Sequence, residues 1–526
     1  MTKPTPAEEV IVDGENNLVL FDKCYRISSN LVENLDQIRS DHEQSVAFLP
    51  IGASSGGAGI FQVSPPENCV VAGIQIAPCS APSITLVDSI NLLNIELHEI
   101  QICQFSMQIA AGAGISLQQL NQALADHLGT KYRVLGADLT SYSYAQVGAT
   151  FMTGGMGPQR RYFSDSVVAA VLFDGKDIVK LAGDQLDSYA GTYGWTGLVT
   201  AVSCQIHQIR GFEIAFSMPV FNSPQGLAQL LEKLSPFAFI KSAQGQLENQ
   251  NGDNNLIFGI EHITTAAMGP LLNQGIANDM TRRAQGLSEK CQLAEADGLV
   301  FISGFSELST DEFLMLLLDD DQTDDYTIAG IDLAHTEVFT NPDAMRALRE
   351  AVPFAARTQT PVGKYIFKGH TDANIRLNPA RVAESMSALW QANMDYVHSV
   401  QDFFDRNDDV RGEILIYGHL NPYGVDPHNR LTFACDDQHT LASAETALID
   451  LRNQFLIALT TLCENTGSLL IGGEKGAASE REIYEALGGA ENCSVHLQEK
   501  FTRQSTVIAS AMPCFNWRAL SPFRSS

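Results

Sequence analysis

IAAGAGISLQQLNQALADHLGTKYRVLGADLTSYSYAQVGATFMTGGMGPQRRYFSDSVVAAVLFDGKDIVKLAGDQLDSYAGTYGWTGLVTAV, running from Ile109 to Val202, decides the fold through the placing of its glycines. Gly112, Gly114, Gly148, Gly154, Gly155, Gly157, Gly191, Gly194 and Gly197 fall in short turns between apolar runs. A side chain at such points blocks a closely approaching molecule or forbids positive φ. This density predicts a cofactor cleft. Around it the order is an apolar strand (Ser106 to Ala111), a glycine turn, a helix with apolar residues at Leu117, Leu120, Leu124 and Leu128, then strands ending with Val167 to Phe173. Upstream, the strand Val46 to Pro50 runs into IGASSGGAG, Ile51 to Gly59, whose backbone N–H groups and hydroxyls suit a diphosphate. Neither GxGxxG after a first strand nor GxxxxGK[ST] occurs, which weakens dinucleotide-fold and P-loop readings.

The rest of the chain is consistent with a large enzyme. Its 526 residues suffice for several domains, and 45% apolar content is ordinary. No apolar run approaches the about 20 residues that span a bilayer, and MTKPTPAEEV lacks a signal-peptide apolar region, so a soluble cytoplasmic protein is expected. A net charge of -28 argues against nucleic acid and anionic membranes as partners. Ten cysteines without a CxxC pair exclude the usual iron–sulfur and zinc-ribbon patterns; buried free thiols are expected, with Cys103 and Cys204 in apolar strands.

The glycine blocks resemble the flavin oxidoreductases of the vanillyl-alcohol oxidase type, which carry a PCMH-type FAD-binding domain, and within them the D-lactate, D-2-hydroxyglutarate and glycolate dehydrogenase branch. The family's Gly-Gly-Gly-Thr diphosphate loop followed by Gly is matched by Gly52, Ala53, Ser54, Ser55 and Gly59, with two glycines replaced. The match continues in AGAG (Ala111 to Gly114) followed by LQQLN, in VGATFMTGG (Val147 to Gly155), and in YAGTYGWTGLVTAV (Tyr189 to Val202). The resemblance implies noncovalent FAD, held by Gly52, Ala53, Ser54, Ser55, Gly56, Gly59, Gly112, Gly148, Thr150, Gly154, Gly155, Gly157, Gly194, Gly197, Leu198 and Val199.

Two later segments extend it. YGHLNPYGVDPHNRL (Tyr417 to Leu431) resembles the family's GHxGDGNxH, and GSLLIGGEKG (Gly467 to Gly476) its GGxxxxEHG. By this resemblance His419, His428 and Glu474 hold a divalent metal such as Zn²⁺ or Mn²⁺, since imidazole and carboxylate suit such an ion. Spacing alone is nonspecific and favours a strand-end His419 and a surface His428 in a polar loop. Two residues are inserted between the histidines relative to the family. Lys475 replaces the family's proton-accepting histidine, and a lysine acts as a base only if burial or a neighbouring cation lowers its pKa. Arg349, in a Leu-Arg-Glu that the family carries on a helix, is expected to clamp the substrate carboxylate, and His370 stands near the position of a family lysine that precedes an aspartate.

The expected fold is α+β: residues 1–30 as an N-terminal segment, 31–210 as a two-subdomain PCMH-type FAD-binding domain, 211–450 as an α+β cap on an antiparallel sheet, and 451–526 as a helical segment returning to the FAD domain. In the cap, strands at Glu213 to Met218, Leu256 to Ile263 and Gly298 to Ser303 alternate with helices at Pro224 to Leu234 and Pro270 to Leu287. The expected activity is oxidation of a small 2-hydroxy acid with hydride transfer to flavin N5. Oxygen, a quinone or an electron-transfer flavoprotein serves as acceptor, and homo-oligomerisation stays open. A metal-free alcohol or sugar oxidase and a noncatalytic FAD-binding protein are the alternatives.

Overall fold

A computed structural model describes residues 5–7, 11–12, 18–19, 23–41, 45–52, 69–159, 161–221, 223–238, 240–241, 247–249, 252–273, 279–317, 327–328, 331–358, 361–421, 424–473 and 477–516. Near the N-terminus, β1 (Lys23–Ile27), α1 (Leu31–Ser40), β2 (Ser45–Ile51) and β3 (Cys69–Ile76) form lobe 1. These three strands are parallel, with β3 between β1 and β2, and Thr5–Ala7 pairs antiparallel on the outer edge of β1. Alternating apolar residues put Phe48, Ala72, Ile74 and Ile76 against Leu31, Leu35 and Ile38 of the helix.

Lobe 2 contains β4 (Ser83–Leu86), β5 (Glu99–Cys103), β6 (Gln108–Gly112), α2 (Leu117–His127), α3 (Val147–Thr153), β7 (Val167–Phe173), β8 (Ile178–Ala182) and β9 (Leu198–Gln205). Its six strands order as β8-β7-β9-β6-β5-β4, and all adjacent pairs are antiparallel except β4 with β5. The helix α2 starts where Ser116 and Gln119 form a reciprocal capping box, and buries Leu117, Leu120 and Leu124 at helical spacing.

The cap is built on β10 (Phe212–Val220), α4 (Ser223–Leu234), β11 (Leu256–Thr264), β12 (Gly298–Ser306), α5 (Pro342–Thr358), β13 (Tyr365–Asp372), β14 (Asn374–Arg376), α6 (Val382–Arg406), β15 (Arg411–Asn421), β16 (Gly424–Cys435), α7 (Gln438–Thr466) and β17 (Leu469–Gly472). These strands form an antiparallel sheet ordered β10-β12-β11-β15-β16, with β13 and β14 along β16 and β17 outside β14. The single helix expected over Pro270 to Leu287 is two helices, Thr265–Leu272 and Asp279–Lys290, the first closing at Asn273.

Period-two alternation gives this sheet two unlike faces. Ile414, Ile416 and Leu420 of β15 join Val425, Leu431 and Phe433 of β16 under Leu389, Val397 and Val400 of α6. The opposite face is apolar beneath Met345, Leu348 and Val352 of α5, where it offers Leu415 and Tyr417. Further along, the same face carries Glu261, His419, Asp426, His428 and Arg430, all buried.

One histidine sits on the apolar side. His262 is fully buried with its ring 4.9 Å from that of Trp390, and neither ring nitrogen has a hydrogen-bond partner among the described residues. Burial disfavours the imidazolium and pushes its pKa down to about 3. The unfolded chain, with an ordinary histidine pKa near 6.5, therefore binds a proton that the folded chain refuses. Stability contributed by the neutral ring is present above about pH 6.5 and is lost as pH falls toward 3, at about 1.4 kcal/mol per unit. His262→Gln is expected to flatten the acid limb of thermal stability between pH 6.5 and 4.5 relative to the parent; parallel profiles would remove His262 as its cause.

After β17 the chain forms α8 (Ala477–Leu487), α9 (Val495–Ser510) and α10 (Pro513–Asn516). Gln504 of α9 donates to the Ala190 carbonyl at 3.0 Å. Phe515 enters the lobe 1 core, its ring 5.5 Å from Phe48 of β2 and 6.4 Å from Phe173 of β7, so one residue bridges both lobes. The described cysteines form no disulfide with one another and are mostly buried, Cys103 and Cys204 among them. Among the described residues no helix is long and apolar enough to cross a membrane.

Candidate functional site

The bare backbone expected to meet a cofactor meets the chain itself. A Cβ on Gly112 would stand 1.9 Å from the Glu96 carbonyl oxygen, and one on Gly157 2.2 Å from that of Asp138. Gly197 holds φ at 142° with the Phe173 carbonyl 2.3 Å from its missing Cβ, a conformation and a contact that only glycine tolerates. Gly148 and Gly155 are likewise closed by Ala113 and by Leu139 with Thr150. Gly154 caps α3 in the left-handed region, and Thr150 Oγ1 donates to the Gln146 carbonyl at 2.8 Å. Leu198 and Val199 are buried at the start of β9. At the junction of the lobes, a Cβ on Gly52 would meet Ala149 of α3 at 2.5 Å, and one on Gly194 would meet Pro50 at 3.0 Å. The steric demand for these glycines thus has a source in lobe closure. Ala53, Ser54, Ser55, Gly56 and Gly59 lie outside the described residues.

The three histidines named from sequence come together on the polar face of the cap sheet. Strand register does this: His419 is opposite Asp426, Tyr417 opposite His428, and Asp372 opposite His428 on its other side. Because two residues are one strand period, the inserted pair leaves both imidazoles on the same face. His428 is therefore a mid-strand, fully buried residue rather than a loop histidine.

Nε2 of His419 lies 3.0 Å from Thr140 Oγ1 of lobe 2 and 3.9 Å from Glu261 Oε2 of β11. A proton on that nitrogen, facing two oxygens, leaves Nδ1 as a lone-pair donor. This Nδ1 is 3.4 Å from His428 Nε2, which in turn is 3.7 Å from Asp426 Oδ2. The other nitrogen of His428 is 3.1 Å from His370 Nε2, and His370 Nδ1 is 3.9 Å from Asp372 Oδ2. His419, Asp426 and His428 thus aim two nitrogens and a carboxylate oxygen at one point, all within 4.8 Å of one another. Each imidazole has an outer partner on its far side, the arrangement that fixes tautomer and ring angle in metal centres. The donor set fits a borderline divalent ion. Glu474 and Lys475 lie outside the described residues. Asp426, the third donor in this set, was not singled out in the sequence.

Arg349 sits behind this cluster, 1% exposed. Its Nη2 donates to Asp138 Oδ1 at 2.6 Å, and its Nε is 3.2 Å from Glu261 Oε2. Burial alone would raise the Asp138 carboxyl, but the Arg349 and Arg346 guanidinium groups outweigh it and hold the pKa below the ordinary range. The guanidinium expected to clamp a substrate is thus engaged by two carboxylates of the chain, one on lobe 2 and one on the cap. Arg346 extends the network to Glu213, which also pairs with Arg133 at 3.2 Å.

A second polar group lies at the end of the same face. Tyr162 Oη accepts from Asn374 Nδ2 at 3.0 Å, and Lys500 of α9 forms a buried ion pair with Glu480 of α8. Neither Tyr162 nor Lys500 carries a motif, and no sequence signal marks them.

No protein-family model matches the chain, and no curated protein matches it by sequence. Solved structures do. Alkyldihydroxyacetonephosphate synthase superimposes with a TM-score of 0.53 at 13% identity, over 94% of this chain and 76% of that one. A second crystal form of that synthase gives 0.52 at 14% identity, over 85% and 76%. The isoeugenol complex of 4-ethylphenol oxidase from Gulosibacter chungangensis gives 0.54 at 11% identity, over 94% and 88%. With two lobes and a cap on an antiparallel sheet, the chain shares the α+β fold of these solved structures.

Proposed function

We propose that this chain is an FAD-dependent oxidoreductase that oxidises a small 2-hydroxy acid, with a divalent metal held by His419, Asp426 and His428. The observation that carries the reading is the convergence of those three donors, each histidine backed by an outer partner, where the cap meets lobe 2. The fold of flavin oxidoreductases and the glycine blocks support FAD. The proposed FAD site includes Gly52 at the end of β2 with Ser54 and Ser55, by their place in the diphosphate motif.

FAD, when bound, supplies the acceptor for the hydride equivalent leaving the substrate carbon. The chain's residues supply orientation and charge. His370 and Asp372 hold the His428 ring, while Thr140 and Glu261 hold that of His419. Arg349 keeps Glu261 and Asp138 in register, so it is a positioning residue in this reading. Lys475, three residues beyond Gly472, is the proposed proton acceptor by its place in the motif. A metal-free oxidase of alcohols or phenols is the competing reading, but it leaves the buried histidines and carboxylates without a task.

The decisive experiment is an anaerobic visible spectrum of the FAD-loaded protein with D-lactate, D-2-hydroxyglutarate, glycolate and 4-ethylphenol, before and after treatment with a chelator. Bleaching by a hydroxy acid that the chelator abolishes is expected. Bleaching by 4-ethylphenol alone, insensitive to chelator, would transfer the chain to the competing reading, and a flavin that no compound reduces would leave only a binding role.

A further inference from the structure

Four side chains from four parts of the chain meet at the end of β17. A Cβ on Gly472 would lie 3.0 Å from Glu480 Oε1, 3.3 Å from Lys500 Nζ and 3.5 Å from Tyr162 Oη, so the bare glycine marks a point that all three groups border. Asn374, the strand partner of Gly472, donates its Nδ2 to Tyr162 Oη at 3.0 Å, and Lys500 Nζ stands 4.9 Å from the centre of the Tyr162 ring. Glu480 is fully buried; one of its oxygens pairs with Lys500, and the other, Oε2, has no hydrogen-bond partner among the described residues. A buried carboxylate oxygen without a donor requires one from elsewhere.

The surroundings are cationic in a chain whose net charge is -28. Burial lowers the pKa of His496 on the same helix, and the charges of Lys500, Arg376 and Arg503 lower it further. Burial pushes the Tyr162 phenol up and outweighs the opposing Lys500 charge, with Glu480 and Asp426 reinforcing burial, so it remains a donor at neutral pH. For Lys500, burial acts against the charge, but Glu480 and Tyr162 outweigh it and keep the ammonium protonated. The corner also adjoins the histidine cluster. Asn374 is two residues past Asp372, the strand partner of His428, and Asp426 is among the charges felt by Tyr162.

We propose that Lys500 and Tyr162, oriented by Asn374, bind the carboxylate of the substrate, while Glu480 accepts a hydrogen bond from its hydroxyl. This rests on the hydroxy-acid reading above and supplies the anion clamp that Arg349, engaged by Asp138 and Glu261, does not. An ammonium has three N–H donors, so Lys500 can serve Glu480 and a second carboxylate together. Donors for a carboxylate beside an acceptor for a hydroxyl are the complement of a 2-hydroxy acid.

The test is calorimetric titration of the FAD-loaded protein with oxalate, together with FAD stoichiometry and flavin bleaching by hydroxy acids. Lys500→Met alone would strand the buried Glu480 charge, so the neutral pair K500M/E480Q is measured beside it. The expected result is oxalate binding weakened at least about thirtyfold in both, and about tenfold in Tyr162→Phe, with FAD retained and Lys500→Arg closer to the parent. Unchanged oxalate affinity in K500M/E480Q, in a parent whose flavin hydroxy acids bleach, overturns the clamp and leaves the function standing. A parent that binds no oxalate and is bleached by no hydroxy acid overturns both.

Discussion

Arg349→Ala is expected to destabilise the protein by about 3–5 kcal/mol, because removing a buried cation leaves Asp138 and Glu261 uncompensated in a water-poor interior. The two carboxylates belong to different bodies, lobe 2 and the cap, so the loss should appear as loosening of the cap and a lower first unfolding transition. Calorimetric scans of the parent, Arg349→Ala and the double variant Arg349→Ala/Glu261→Gln would check this. The double variant is expected to recover part of the loss, since it removes one of the stranded charges. An Arg349→Ala protein with parental stability but a KM for hydroxy acids raised about a hundredfold would instead return Arg349 to the substrate carboxylate, as the sequence suggests.

His428→Ala is expected to abolish stoichiometric metal and to slow flavin reduction by hydroxy acids by about a hundredfold or more, since it removes a donor and the link to His370 together. His370→Asn, which keeps the donors and alters only the outer partner of His428, should weaken metal by about ten- to a hundredfold. Asp426→Asn separates this donor set from one that uses Glu474 in its place: retained metal in Asp426→Asn and loss in Glu474→Gln would rebuild the centre around the motif glutamate. Element analysis of dialysed proteins reads all three. Full metal in His428→Ala would end the proposal.

The general architecture was legible because glycines such as Gly154, Gly194 and Gly197 bound apolar runs, and alternation marks the cap strands; Gly112 and Gly148, expected in turns, lie instead in β6 and inside α3. The reason for the glycines was less legible: Gly112 and Gly157 are demanded by carbonyls of residues 96 and 138, which are invisible to local patterning. The same limit applies to Arg349, whose partner Asp138 lies 211 residues away. His419 and His428 could be named as a pair, but Asp426 was hidden by Pro427. A proline inside LNPYGVDPHN reads as a loop, yet Pro427 sits in β16, opposite Gly418 of β15. Read as a strand, Asp426 and His428 are one period apart and share a face. Lys500 and Tyr162 offered no such cue, since nothing in the spacing brings a C-terminal helix to lobe 2.

Phe515 gives the protein a particular order of maturation. The cluster it completes begins with Tyr25 and includes Phe48 and Phe173, all made early during synthesis, whereas its last member emerges only after the whole cap has been translated. Until Phe515 emerges, the nascent lobes stay short of their full packing. A variant cut before Phe515 should be degraded faster in the cell than its number of missing residues suggests.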